Sequence, residues 1–204
     1  MKLLDEADIV VTNPPFSLFR EYVAQLVGHG KKFLIIGSMN AITYKEIFPL
    51  IKANKIWIGY NFNKTMEFQL DESYEKWNEI RDGKKYGKVP AIAWFTNLDH
   101  KKCHEFLTLT EKYDQAKYPK YDNYDAIEVG KYTDIPKDYA GVMGVPISYL
   151  MHHNPEQFAI VGELNSGSGN EWDYAKPIID GKVKYTRILI RRKPVGENGN
   201  TPAA

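Results

Sequence analysis

Four consecutive residues near the start of the sequence, Asn13, Pro14, Pro15 and Phe16, have the groups needed to hold a planar ring with an exocyclic amine. The Asn13 side-chain oxygen and the Pro14 carbonyl are hydrogen-bond acceptors. Two acceptors about 3 Å from one amino nitrogen would direct its lone pair toward an electrophile. Phe16 offers a face on which the ring can stack. The same residues are also compatible with an ordinary turn after a strand.

A strand is predicted directly before these residues. Ile9, Val10 and Val11 form a short apolar, β-branched run, which is typical of a strand covered on both faces. The two prolines then fix φ and lack N–H groups, so Asn13 is expected to be extended at the carboxyl end of the strand. In open α/β sheets, ligands bind at that end of the strands.

Predicted helices and strands alternate after this loop. Ser17 is suited to cap a first helix, which Gly28 and Gly30 end. A strand at 33–36, a helix at 44–54 and a strand at 56–58 follow. This alternation predicts a parallel, doubly wound α/β sheet.

Two further strands, 67–70 and 90–96, have no convincing helix between them and are predicted to form an antiparallel hairpin at one edge of the sheet. The charged segment between them, 71–88, is predicted to be a long loop. It is compatible with a nucleic-acid contact or with a solvated loop, because its charges alternate in sign.

The composition changes near residue 101, and a second, smaller β-rich unit is predicted over 101–193, after a first domain at 1–100. Tyrosines are scattered through its Lys- and Asp-rich segments: Tyr113, Tyr118, Tyr121, Tyr124, Tyr132 and Tyr139. Such tyrosines can stack on bases beside phosphate-binding lysines, or they can anchor irregular loops to a core. Residues 194–204, rich in Gly, Asn and Pro, are predicted to be disordered.

Composition excludes several classes of protein. A chain of 204 residues with 43% hydrophobic and 13% aromatic residues can bury a core of one domain or one and a half. The single cysteine, Cys103, excludes an internal disulfide and a thiol-rich zinc site, and fits a reducing cytoplasm. No apolar run approaches the roughly 20 residues that span a bilayer. The five histidines lack ligand spacing, so no metal is predicted.

Two other segments are candidate ligand sites. Arg187, Arg191 and Arg192 follow an alternating strand pattern and are the best local candidates for phosphate contact, although a solvated strand end would look the same. Since the net charge is only +1, any DNA-binding surface must be local. The segment 162–169 is rich in glycine and serine and follows a strand-like run, as a glycine-rich cofactor loop would. Such a loop must lead into a helix, and the residues after it lack a helical repeat, so we reject that role and predict a mobile loop there.

The tetrapeptide Asn13 to Phe16 after a hydrophobic strand resembles the catalytic motif of amino-group DNA methyltransferases of the N6-adenine type. Segments 33–37, 145–149, 154–162 and 184–190 are similar to the EcoRI-type adenine-specific methylase family. This resemblance spans most of 8–193. It implies a partial doubly wound, Rossmann-like methyltransferase sheet with an appended irregular β-rich unit for target recognition.

The resemblance also implies a function. Asn13 and Pro14 would hold the amino group of an adenine flipped out of double-stranded DNA, with Phe16 stacked on the base. Asn13 and Phe16 would also adjoin the methyl donor, S-adenosylmethionine. Ser17, Arg187, Arg191 and Arg192 would contact the DNA. A different class of function is a non-catalytic DNA- or protein-binding remnant of such an enzyme.

The sequence departs from the family pattern at its beginning, where only seven residues precede Asp8. The family places a glycine-rich loop and an acidic residue upstream of the tetrapeptide to hold the cofactor. We therefore expect this half to be missing from the chain or supplied by a second chain. The strand at 9–11 would then have a bare edge, open to a partner or to self-association.

Overall fold

The computed structural model describes residues 2–60, 62 and 64–194. The described residues divide into two compact units, one formed by 2–51 and 55–98 and the other by 52–54 and 99–194. The roles predicted for them, a methyltransferase half and a target-recognition unit, stay predictions. Of the predicted disordered tail at 194–204, residues 195–204 lie outside the described part.

The first unit alternates helices and strands up to its third strand and is then all β. In chain order its elements are α1 (Lys2–Glu6), β1 (Ile9–Thr12), α2 (Phe19–Gly28), β2 (Lys32–Ser38), α3 (Phe48–Lys52), β3 (Trp57–Ile58), β4 (Met66–Gln69), β5 (Glu79–Arg81), β6 (Lys84–Val89) and β7 (Ile92–Thr96). The helix predicted over 44–54 is confined to α3, and Asn54, with φ of 56°, lies just beyond it.

The main sheet of this unit has the strand order β1-β2-β7-β3. β1 and β2 are parallel, as the alternation predicted. β7 lies between β2 and β3 and is antiparallel to both. The predicted hairpin of 67–70 with 90–96 is therefore wrong. β4 instead pairs with β6 in a separate three-stranded sheet, β4-β6-β5, and the predicted loop at 71–88 contains β5 and most of β6.

Burial explains why β7 belongs in the main sheet. Four of its five residues are buried, whereas β4 buries only Met66. A strand that is apolar on both faces is stable only where both faces are covered. The position of β7 is therefore set by the need to cover both of its apolar faces and by its partner strands, not by its distance along the chain from β4.

Helix α2 packs its apolar side on the main sheet. Phe19, Val23 and Leu26 are buried, and the Phe19 ring meets the Phe95 ring edge to face at 5.0 Å. Gly37 leaves room for Phe19, because a Cβ there would lie 2.7 Å from Phe19 Cζ. The predicted cap is wrong, since Ser17 lies within a 3-10 helix (Phe16–Leu18) and no side chain of the described residues caps α2 with a hydrogen bond.

The second unit is a β structure with short 3-10 helices. Its strands are β8 (Ile127–Glu128), β9 (Val142–Pro146), β10 (Phe158–Leu164), β11 (Asp173–Tyr174), β12 (Ile178–Ile179), β13 (Lys182–Val183) and β14 (Arg187–Arg192). Five of them form a sheet in the order β11-β10-β14-β9-β8, and β12 pairs with β13. The chain is thus a mixed α/β protein with several sheets and few helices. In the described part, no helix has the length and apolar character to cross a membrane.

Candidate functional site

The predicted tetrapeptide forms a short loop at the carboxyl end of β1. β1 ends at Thr12, which lies opposite Ile35 of the parallel strand β2. Asn13 is exposed, Pro14 is buried, and Phe16 is 44% exposed. The N–H of Leu18 donates to the Pro15 carbonyl at 2.9 Å, which closes the turn into α2. The loop is therefore held by a buried proline and a backbone hydrogen bond, with its amide and aromatic groups facing outward.

The Asn13 side chain is available to a ligand. Among residues 2–60, 62 and 64–194, none forms a hydrogen bond with its amide group. An exposed amide meets water in the free protein, so a ligand amine can replace that water at small cost. Its carbonyl oxygen can accept from an amino group, as the sequence predicted.

β1 forms one edge of the main sheet and leaves apolar groups exposed. Within the described part it pairs only with β2. Ile9 is 47%, Val11 64% and nearby Leu18 55% exposed. The prediction that β1 is covered on both faces is thus wrong for this chain, because α2 covers only one side of the sheet. A free edge beside exposed apolar side chains is suited to accept further polypeptide.

The residues predicted to contact DNA lie in different environments. Ser17 is exposed next to the loop. Arg187 is mostly buried, and its Nη2 lies 2.6 Å from Oε1 of Glu128. Its Nε donates to the same carboxylate at 3.0 Å. Arg187 therefore acts as an internal counter-ion here, whereas Arg191 is exposed and Arg192 half-buried at the end of β14.

The tyrosines of the second unit mostly contact one another. Tyr118 and Tyr121 are buried. Tyr113 stacks on Tyr118 at 6.0 Å and lies 4.7 Å from Tyr139. Tyr124 pairs with a ring of β11 and Tyr132 stacks on a histidine. Of the two roles that the sequence left open, these contacts favour anchoring of irregular segments to the core.

The glycine- and serine-rich segment after β10 is organised around one carboxylate. The Asp173 oxygens accept from the backbone N–H groups of Ser166, Gly167 and Ser168, and the Ser166 hydroxyl donates at 2.6 Å. Burial raises the pKa of Asp173, but the hydrogen bonds from Ser166 and Ser168 lower it by more, so the net shift is downward. The loop N–H groups are thus occupied by Asp173, which agrees with the rejection of this segment as a cofactor loop.

Sequence reasoning missed Glu163, the buried carboxyl beside this loop. Both of its side-chain oxygens lack hydrogen-bond partners within the described residues. Burial, followed by the negative charge of Asp173, raises the pKa of Glu163 to about 8. Its position in an apolar strand at 158–164 was the available signal, because a charged residue at a buried strand position is unusual.

Comparison with known proteins places the chain in a family. The sequence model described as adenine-specific methyltransferase EcoRI matches residues 1–193. The chain belongs to this EcoRI methylase family. It is 50% identical over 198 residues to the type II methyltransferase M.EcoRI of Escherichia coli, and the match covers 94% of this chain. It is also 42% identical over 210 residues to the type II methyltransferase M.MpnI of Mycoplasma pneumoniae.

The match covers only part of these EcoRI-family relatives. It includes 59% of the Escherichia coli protein and 66% of the Mycoplasma pneumoniae protein. A third relative, the type II methyltransferase M.MgeORF184P of Mycoplasma genitalium, is 38% identical, with 68% of its length covered. No solved structure matches the chain significantly.

Proposed function

We propose that this chain carries the catalytic loop of an adenine-specific DNA methyltransferase, which transfers a methyl group to the N6 amino group of adenine. The observation that carries this proposal is the loop from Asn13 to Phe16. In a chain of the EcoRI methylase family, it follows a parallel strand and leaves an amide and an aromatic ring accessible.

The loop residues would act by positioning the base. The Asn13 oxygen and the Pro14 carbonyl would accept hydrogen bonds from the adenine amino group and orient its lone pair. Pro15 would keep the loop rigid, and the exposed face of Phe16 would stack on the ring. Because the target amine is paired inside the duplex, the adenine must leave the base stack to reach the loop.

The same loop fits the reacting end of S-adenosylmethionine. When bound, this cofactor supplies the electrophilic methyl group. Asn13 and Phe16 are accessible to it at the carboxyl end of β1, where ligands of open α/β sheets bind. We propose that the rest of the cofactor site comes from additional polypeptide, in the same protein or a second chain, added beside β1.

The free edge of β1 supports this arrangement. Ile9, Val11 and Leu18 are each about half exposed or more, and the relatives are longer than this chain. An added strand would pair with the edge and cover these side chains, extending the main sheet into a larger doubly wound, Rossmann-like sheet. We further propose the cytoplasm as its compartment, which suits a buried free thiol at Cys103.

Methyl transfer tests the catalytic assignment. The chain is combined with the segment of the Escherichia coli relative that lies outside the match, and transfer of labelled methyl groups from S-adenosylmethionine to duplex DNA is measured. We expect Asn13→Ala to lower the rate by about 100-fold or more with unchanged DNA affinity. The matched control, Asn170→Ala, removes an amide of the second unit and should retain the parent rate. Full activity of Asn13→Ala would refute the assignment, and an inactive parent would favour the non-catalytic remnant.

Calorimetric titration tests the proposed division of the cofactor site. S-adenosylmethionine is added to the isolated, folded chain with and without duplex DNA. We expect no binding, because the loop supplies only part of the site. Micromolar binding by the chain alone would mean that no additional polypeptide is needed.

A further inference from the structure

A shallow cavity of about 490 Å³ in the second unit gathers positive charge. One wall is the end of β14, and the other is the loop 137–140 that precedes β9. Together they contribute Lys137, Asp138, Tyr139, Arg191, Arg192 and Lys193. Four cations and one carboxylate leave an excess of three positive charges, although the whole chain carries only +1. The cavity is therefore locally basic in a chain that is nearly neutral overall.

The charge of the cavity is not neutralised by internal ion pairs. In the described part of the chain, none of the four cations forms an ion pair with a carboxylate. Two other cations of the same unit are paired: Lys117 lies 2.7 Å from Glu111, and Arg187 pairs with Glu128. Asp138 has another partner, since its Oδ1 accepts from the Tyr113 N–H at 2.7 Å.

The cavity walls are held in place before any ligand binds. The Lys193 N–H donates to the Gln157 carbonyl at 2.9 Å, which fixes the end of β14. The Lys137 N–H donates to the Glu111 carbonyl, also at 2.9 Å, and the Tyr139 ring packs on Tyr113. Cations on an anchored backbone lose less freedom on binding than cations on a mobile tail.

We propose that this cavity binds the phosphate backbone of double-stranded DNA. The choice of DNA rests on the proposed function, whereas the anionic chemistry rests on the cavity. Arginine and lysine donate charge-assisted hydrogen bonds to phosphate oxygens. Tyr139 and Ala140 supply an apolar wall for the deoxyribose between two phosphates. Lys137, Tyr139 and Lys193 thereby join Arg191 and Arg192 as DNA contacts.

DNA titration over a series of salt concentrations tests this assignment. Binding of the full chain to a labelled duplex is measured by fluorescence anisotropy for the parent and for Lys137→Gln/Arg191→Gln. If each side chain contacts one phosphate, affinity near 0.1 M salt should fall about 60-fold, and the salt slope should decrease by about 1.8. The control, Arg81→Gln/Lys117→Gln, removes the same charge from ion-paired sites and should bind within about threefold of the parent.

The outcomes separate this inference from the proposed function. Equal weakening of both double variants, or of neither, would overturn the cavity assignment while leaving methyl transfer by the Asn13 loop intact. Absence of DNA binding by the folded parent would overturn the cavity assignment, whereas the proposed function is decided by methyl transfer in the combined assembly. Tighter binding of an RNA duplex that depends on Lys137 and Arg191 would overturn the choice of DNA. Chemical acetylation of lysines provides independent support. Bound DNA is expected to protect Lys137 and Lys193 from the reagent and to leave Lys117 unprotected.

Discussion

Replacing Glu163 with glutamine should stabilise this protein at neutral pH, because the native carboxyl is fully buried and has no hydrogen-bond partner in the described part. Burial and then the charge of Asp173 raise its pKa from 4.5 to about 8. At pH 7 the folded protein therefore holds this proton, whereas the unfolded chain releases it. Glutamine has nearly the same shape and does not ionise.

The size and sign of the effect follow from this proton. The contribution of Glu163 to the free energy of unfolding is fully present below pH 4.5 and falls as the pH rises toward about 8. It falls because the folded state keeps a proton that the unfolded state releases throughout that range. At roughly 1.4 kcal/mol per pH unit, the loss for the parent reaches about 3 kcal/mol at pH 7. Since the glutamine amide would also be buried without partners, we expect Glu163→Gln to gain about 1–3 kcal/mol there.

A second buried group has the opposite pH dependence. Burial lowers the pKa of His153 from 6.5 to about 4, so its contribution to stability is lost as the pH falls from 6.5 toward 4. Between pH 4.5 and 6.5 the two contributions partly cancel in the parent. The difference between variant and parent isolates Glu163, because His153 is common to both.

Urea unfolding followed by circular dichroism provides the measurement. The free energy of unfolding of parent and Glu163→Gln is compared at pH 5, 7 and 8, the range set by the shifted pKa. The advantage of the variant should be small at the lowest pH and grow with each step. Glu171→Gln, an exposed control two residues from Asp173, should show no difference at any pH. An advantage independent of pH, or none, would refute the reasoning.

Two further predictions concern other buried groups. Arg187→Met should cost about 3–5 kcal/mol, because the mostly buried Glu128 carboxylate keeps the Tyr121 hydroxyl but loses its counter-ion, and Glu128→Gln in the same chain should recover part of this loss in urea unfolding. An Arg187→Met variant as stable as the parent would show that the ion pair is not structural. Burial raises the pKa of the Cys103 thiol to about 11, so alkylation of the folded protein at pH 8 should be about 100-fold slower than after unfolding. Rapid alkylation of the folded protein would contradict this.

The position of the loop from Asn13 to Phe16 could be predicted from the sequence because it depends on neighbouring residues. A β-branched run followed by two prolines specifies a strand and an abrupt turn whatever surrounds it. The parallel pairing of β1 and β2 was equally accessible, since a helix of crossover length separates them. Local chemistry was sufficient for both.

Strand order was not accessible in the same way. β7 follows β6 after two residues, yet it pairs with β2 and β3 and leaves β6 to β4 and β5. This strand order depends on which apolar faces must be buried in the whole unit, and that is a non-local property. The exposure of Ile9 and Val11 has the same origin. Their apolar pattern predicts burial, and only the partners of β1 reveal its open edge.

The arginines of β14 differ in their environment because they lie at opposite ends of the strand. Arg187 lies opposite Pro146 of β9, near Glu128 of the neighbouring strand β8, and finds its counter-ion there. Arg191 lies opposite Val142 at the other end of β9, one residue before the pairing of β9 with the two-residue strand β8 begins at Met143. A strand that brought a second carboxylate to that end would neutralise the cavity. Because β8 is so short, the positive charge at the end of β14 remains available to a phosphate backbone.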